Sequence, residues 1–232
     1  MTLIGVTAVV SMLSGMCAAA PSYLGTTGNI LTPNDVILSP GAYSFNVNAI
    51  DIKDGGDTPL LIGAVVGVAP GLEVGAASVD SNAPGTGTDT VLSVKYGLLD
   101  ETERRPSAVI GVVDAAGQIN GGGNPSFYVL VGKNLTPAAS SLTGEPVSPL
   151  KGYLGLGTGI YKGLFLGLDY SLNSRITIMA EYLSEADIKN IVSKNSLVNV
   201  GLRFALTDDF RGDISLIDGE NFGFGISYTK AQ

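Results

Sequence analysis

Histidine and tryptophan are missing from this chain of 232 residues. The first absence excludes Ser-His-Asp and Cys-His nucleophile arrangements, and every His-ligated metal site. Cysteine occurs once, as Cys17 near the start, so neither a disulfide framework nor a Cys-based metal site is available. Charge is scarce too, at 15% of residues, and positive charge is the scarcer sign: 13 Lys and Arg against 21 Asp and Glu, a net charge of −8. The few cations form no basic stripe, which argues against nucleic acid as a partner. Beyond the N-terminus the chain also lacks the run of roughly 18 to 20 apolar residues that a membrane-spanning helix needs. Yet 45% of residues are hydrophobic and the mean hydropathy is +0.33. A chain of this kind that enters a bilayer must do so as strands.

What the chain does have is two-residue alternation. In Val198, Val200, Leu202, Phe204 and Leu206 every second residue is bulky and apolar, while Asn199, Gly201, Arg203 and Ala205 between them are small or polar. That period is the signature of an antiparallel sheet with two unlike faces. It repeats over segments 41–51, 59–69, 72–80, 89–99, 106–115, 125–135, 150–160, 163–172, 175–184, 196–207, 211–217 and 221–230. Each is near the ~9 to 11 residues of a tilted transmembrane strand. The pattern predicts an all-β fold, an antiparallel up-and-down transmembrane β-barrel of about 12 strands, with 10 to 12 compatible with the spacing.

The bulky sets include Tyr43, Phe45 and Val47; Leu60, Ile62 and Val66; Leu92, Val94 and Tyr96; Leu154, Leu156 and Ile160; Leu164, Leu166, Leu168 and Tyr170; Ile176, Ile178 and Tyr182; and Phe222, Phe224, Ile226 and Tyr228. The alternate sets are rich in glycine, as in Gly63 and Gly67, Gly155, Gly157 and Gly159, and Gly223 and Gly225. A soluble sandwich would turn its bulky face inward and show long charged residues outside. Here the second face is too small for a solvated surface, so the bulky face is expected outside and the glycines in a narrow lumen. Tyr43, Tyr96, Tyr170, Tyr182 and Tyr228, near strand ends, fit either a headgroup-level girdle or ordinary β packing.

Three regions follow. Residues 1–19 read as a signal peptide: an apolar core at Leu3–Leu13, then Cys17, Ala18, Ala19 and Ala20, with cleavage near Ala18 or Ala19. No Lys or Arg precedes that core, and Met16 before Cys17 argues against lipidation. Residues 20–40, with Gly25, Gly28, Pro33 and Pro40, hold too many breakers for a long element and read as a plug or turn segment near the barrel entrance. Residues 41–232 form the barrel domain. Short turns such as "APG" (69–71), "TDDF" (207–210) and "IDGEN" (217–221) make neighbouring strands antiparallel. The long connections 81–90, 116–124 and 184–195 fall on the outer side if the N-terminus is periplasmic, whereas 136–149 falls on the periplasmic side. "SEADIKNIV" from Ser184 is expected to form at most one helical turn.

Chemical motifs are few. "GTGTDT", "GLGTG" and "GGGN" lack the Gly-Lys-Ser/Thr ending of a phosphate loop. "DGGD" (54–57) and "DGEN" (218–221) lack the ligand spacing of a calcium loop and read as solvated turns. Neither a cofactor nor a metal is expected. The remaining polar constellation is on the predicted lumen face: Glu181 and Arg203 on adjacent strands, expected nearly opposite one another, with Lys95, Lys151, Asp169 and Glu73 near them. Inward charges in barrels serve either structure or solute selection. Asp169 and Glu181 could supply the two carboxylates of a glycosidase, but no cleft or aromatic sugar platform accompanies them.

"GTTGNILTPNDVILSPGAYSFNVNAID" (Gly25–Asp51) resembles the opening of YjbH-like outer-membrane proteins associated with exopolysaccharide biosynthesis. The C-terminal stretch from "MAEYLSEADIKNIV" through "GLRF" to "GFGISY" is similar to short barrels of the same group. The resemblance covers both ends of the chain and implies an outer-membrane location with a link to surface polysaccharide, and no catalytic residues. As a short single-barrel relative, the protein would have the lipid bilayer, the barrel-assembly machinery and a polysaccharide as partners. The expected function is a structural or narrow-channel outer-membrane barrel. A soluble lipocalin-like binding barrel and an outer-membrane hydrolase are the alternatives.

Overall fold

A computed structural model describes residues 19–53, 58–80, 87–120, 123–145, 147–189 and 191–231. The predicted signal peptide, all but Ala19, and the "DGGD" turn lie outside the described residues. The strands are β1 (Tyr43–Asp51), β2 (Leu60–Ala69), β3 (Leu72–Asp80), β4 (Thr88–Leu99), β5 (Ser107–Val113), β6 (Ser126–Asn134) and β7 (Leu150–Gly157). They continue as β8 (Gly163–Ser171), β9 (Ile176–Leu183), β10 (Ala186–Ile188), β11 (Val192–Lys194), β12 (Leu197–Ala205), β13 (Phe210–Ile217) and β14 (Asn221–Lys230). One helix, α1 (Thr136–Thr143), starts with Pro137 in its first turn and ends on Gly144 in the left-handed conformation.

Twelve strands close into one antiparallel barrel in sequence order, with β14 pairing β1, and β10 and β11 form a separate hairpin between β9 and β12. Closure leaves no unpaired sheet edge in the wall. β1 begins and β14 ends at one rim, which also carries the connections 70–71, 100–106, 172–175 and 206–209 and the helix α1. β3, β5 and β9 end, and β4, β6 and β12 begin, at the opposite rim, as the strand count predicts.

Alternation along each strand sets the two faces. The outside carries a belt of exposed apolar side chains, among them Phe45 (52%), Phe127 (58%), Leu156, Leu166, Ile214 and Phe224. The aromatic cluster Tyr43, Phe45, Phe210 and Tyr228 lies at the termini-bearing end of the β1–β14–β13 seam.

The structure corrects three expectations. Ile160, assigned to the outward face, belongs to a 3-10 turn at Gly159–Tyr161 and is fully buried. Residues 186–188 and 192–194 pair as the strands β10 and β11, with Ala186 and Ile188 buried, where the sequence allowed one turn of helix in a loop. And the interior is more than glycine with a few charges. Toward the loop-bearing rim the inward residues are Ile50, Leu61, Val79, Val91, Val113, Leu183, Leu197 and Ile217, all buried. At that level the strands are apolar on both faces, a pattern that alternation alone does not distinguish from one-sided strands.

Candidate functional site: a lumen filled by residues 19–40

Residues 19–40 dip into the barrel from the termini-bearing rim and return to it, and nearly all of residues 20–34 are buried. The segment bends back on itself through the isolated bridges Pro21–Thr27 and Gly28–Pro33. Six main-chain hydrogen bonds, from the N–H groups of residues 22, 23, 25, 28, 29 and 34, join the segment to itself, and the wall satisfies the N–H groups of residues 27, 30, 31, 32 and 38. Glu181 on β9 accepts from the backbone N–H groups of Ile30 (2.8 Å), Leu31 (3.1 Å) and Thr32 (2.9 Å), and from the Thr32 hydroxyl (2.7 Å). Glu73 on β3 accepts from the N–H groups of Thr27 (3.0 Å) and Leu38 (3.1 Å) and the hydroxyls of Thr26 and Thr27. Lys95 on β4 pairs with Glu73 at 3.1 Å and donates to the carbonyls of Thr27 (2.9 Å) and Asn34 (3.2 Å). Arg203 on β12 grips Asp213 at 2.8 and 3.0 Å and donates to the carbonyls of Gly28 and Asn29.

Steric room is built into the wall at the same places. A Cβ on Gly75 would overlap the carbonyl oxygen of Gly25, and one on Gly67 would overlap the carbonyls of Leu38 and Ser39. Other inward glycines serve aromatic rings. Gly111 faces Tyr128, Gly155 faces Phe165 and Gly167 faces Tyr153 across neighbouring strands, and each ring lies over its glycine. Such cross-strand pairs shield the glycine backbone and hold the ring in one rotamer. Tyr128 then packs edge-on against Tyr161 and Phe165, which are tilted on one another, with centroids 5.3 to 6.4 Å apart, beside Leu31, whose carbonyl accepts from Tyr161.

All six charged residues singled out from the sequence face inward, but not in the expected pairing. Glu181 and Arg203 do lie on adjacent strands, yet the register puts Asn199 opposite Glu181 and Thr177 opposite Arg203. Glu181 therefore takes the N–H groups of residues 30–32, while Arg203 takes its cross-strand neighbour Asp213. Glu73 and Lys95 are direct cross-strand neighbours, and so are Lys151 and Asp169. Asp169 accepts from Tyr153 at 2.8 Å, whereas Lys151, at the termini-bearing mouth, turns to Asp35 (2.8 Å) and Glu101 (3.5 Å). Asp213, Asp35 and Asn199 were not singled out. Asp213 was only partly legible: it stands three residues after the "TDDF" turn and Arg203 four before it, so the turn brings them near without fixing the register. Asp35 was not, since its partners are 72 and 116 residues away along the chain.

The loop-bearing rim is closed by a second, apolar layer. The carboxylate of buried Asp114, at φ +53°, accepts from the N–H groups of Gln118, Ile119 and Asn120 and folds that loop inward. Ile119, Ile160, Ile188, Ile191 and Val192 bury themselves there over the inward strand residues. Outside this layer Lys194 donates to Asp218 at 2.9 Å, and that hydrogen bond raises its pKa. Inside, burial pushes the phenol of Tyr23 well above its ordinary range, so it stays protonated in its hydrogen bond with Ser215. Among the described residues no group of three or more acidic or thiol side chains is placed to hold a metal.

A closed barrel of twelve sequential antiparallel strands with an apolar exterior is the architecture of small porins. The chain is similar in fold to the KdgM porin, with a TM-score of 0.55 and 13% identity over 80% of this chain and 98% of that one. The NanC porin superposes with a TM-score of 0.52 at 10% identity, covering 79% of this chain and 98% of that one. The KdgM porin in complex with disordered oligogalacturonate gives 0.51 at 13% identity, over 81% and 98%. No protein-family model matches the chain, and no curated protein matches it.

Proposed function

We propose that this chain is an outer-membrane β-barrel protein with a structural role, sealed against solutes in the conformation described. The observation that carries the reading is the occupied lumen: residues 19–40 fill the polar half and the apolar cap fills the other. The belt of exposed Leu, Ile and Phe supports a lipid-facing wall, since a soluble protein rarely shows so continuous an apolar band. The porin-like fold supports an outer-membrane location, with the bilayer and the barrel-assembly machinery as partners. A lipocalin-like barrel would need its bulky face inward and a cavity free for ligand. Among the described residues the lumen pairs no nucleophile with a base, and a non-catalytic reading is the one proposed.

A link to surface exopolysaccharide is the finer part of the proposal. It draws on the resemblance of both chain ends to YjbH-like proteins, and on the likeness in fold to a porin that binds oligogalacturonate. The test has two parts. The protein should resist extraction in buffer and require detergent, with heat-modifiable migration on gels. In planar bilayers it should give no steady conductance. Release into plain buffer would overturn the membrane reading, and a constant open level from correctly folded protein would overturn the sealed one.

A further inference from the structure

We propose that the inner wall of the barrel is a binding site for a folded-back polypeptide segment, read through main-chain N–H and C=O groups and occupied here by residues 19–40 of the same chain. Seven strand side chains and Tyr161 of the 3-10 turn address main-chain atoms of this segment, Thr229 and Tyr161 through the carbonyls of Ala19 and Leu31. Glu181 takes three successive N–H groups and Glu73 two more, while Arg203, Lys95, Ser93 and Asn46 donate to carbonyls of residues 28 and 29, 27 and 34, 25, and 22. A run of N–H groups converging on one carboxylate is an anion-binding nest, here filled by the wall. The two glutamates hold these donors out of water, where hydrogen bonds to a charged acceptor are roughly twice as strong as neutral ones. Specificity of this kind depends on the path of the backbone. The wall glycines Gly67 and Gly75 admit backbone at contact distance, and within the segment a Cβ on Gly28 would overlap the carbonyl of Thr32. The ligand class is thus a peptide of about this length that can fold into the same double bend.

The proposal goes beyond the sealed-barrel reading and does not depend on it, because a soluble barrel with this interior would bind the same peptide. The test uses the full-length chain in detergent with Cys17→Ser and Ile30→Cys, so that maleimide labelling reports whether the segment is seated. Ile30 is buried, and the parent should resist labelling. Gly28→Val should expose residue 30, since the added side chain cannot share space with the Thr32 carbonyl. A fluorescent synthetic peptide of residues 20–38 should then bind the Gly28→Val protein and not the parent, by anisotropy. N-methylation of the peptide at residues 30 and 31, or Glu181→Gln in the protein, should weaken binding at least tenfold.

Failure of the peptide to bind a protein whose residue 30 labels freely would overturn the proposal, as would equal binding of the N-methylated peptide. Continued protection of residue 30 in Gly28→Val would overturn the claim that backbone path decides seating. Should Gly28→Val lose its heat-modifiable fold, Glu73→Gln with Glu181→Gln supplies the second measurement. Labelling at residue 30 should quicken at least tenfold, and an unchanged rate would sink the idea.

Discussion

Arg203 shows how much a single inward side chain does in this barrel. Its side chain is 6% exposed, meets both oxygens of Asp213, and donates to the carbonyls of residues 28 and 29. Removing one partner of such a buried pair leaves the other charge without compensation, which costs about 3 to 5 kcal/mol. Arg203→Met should therefore lower the urea midpoint in detergent sharply, while Arg203→Met with Asp213→Leu should recover a large part of the loss. Equal destabilisation by the single and double variants would mean that the carbonyl contacts, rather than the pair, carry the effect. A second residue-scale prediction concerns Gly155, where an added Cβ would strike the Phe165 ring. Overpacking of this kind costs about 1 to 3 kcal/mol. Gly155→Ala should destabilise, and Phe165→Leu should relieve it, so that a double-mutant cycle gives a coupling of opposite sign to the single effects. Glycine in an alternating strand announced a narrow interior correctly, but the residue lying over each glycine comes from a neighbouring strand whose register must be known first.

At the scale of elements, the strands were the most legible part of the chain because alternation is local physics. The twelve segments expected from the sequence coincide with the twelve barrel strands to within a few residues at their ends. The "TDDF" turn marked β12 and β13 as an antiparallel hairpin, though not its register. What stayed hidden depended on contacts distant in sequence. The inward Ile50, Leu61 and Leu197 read as breaks in the polar face until the loops that cover them are placed. Likewise the β10–β11 hairpin is held by the Asn120–Ile188 bridge to another loop, and no local signal in "SEADIKNIV" specifies that. The outward face yields a depth-dependent prediction. Ile226, opposite Val47 on β1 and Gly212 on β13, sits midway along β14 and is exposed on the belt. Ile226→Arg should cost about 2 to 4 kcal/mol of folding stability in lipid vesicles, and much less in short-chain detergent. If the cost were the same in both, the belt would not be a lipid-facing surface.

For the whole molecule, the two fillings of the lumen are chemically different and structurally separate. One is polar and is held by Glu73, Lys95, Glu181 and Arg203 against residues 19–40. The other is apolar, made by Ile119, Ile188, Ile191 and Val192 from loops at the far rim. Two barriers in series stay closed if either one holds. Releasing the segment with Glu73→Gln and Glu181→Gln should leave planar bilayers silent, because the apolar cap is untouched. Opening the cap with Ile119→Asp and Ile188→Asp, which places two charges among buried hydrocarbon, should leave them silent as well, because residues 19–40 still fill the polar half. Only the fourfold variant should conduct, and its current should be ohmic rather than brief spikes. Conductance from the first pair alone would mean that the loops are no seal. From the second pair alone it would mean that residues 19–40 leave a water path along the wall. Silence in all three, with the fold confirmed by heat-modifiable migration, would place the obstruction in the side chains of the strands themselves, the aromatic group around Tyr128, Tyr161 and Phe165 foremost.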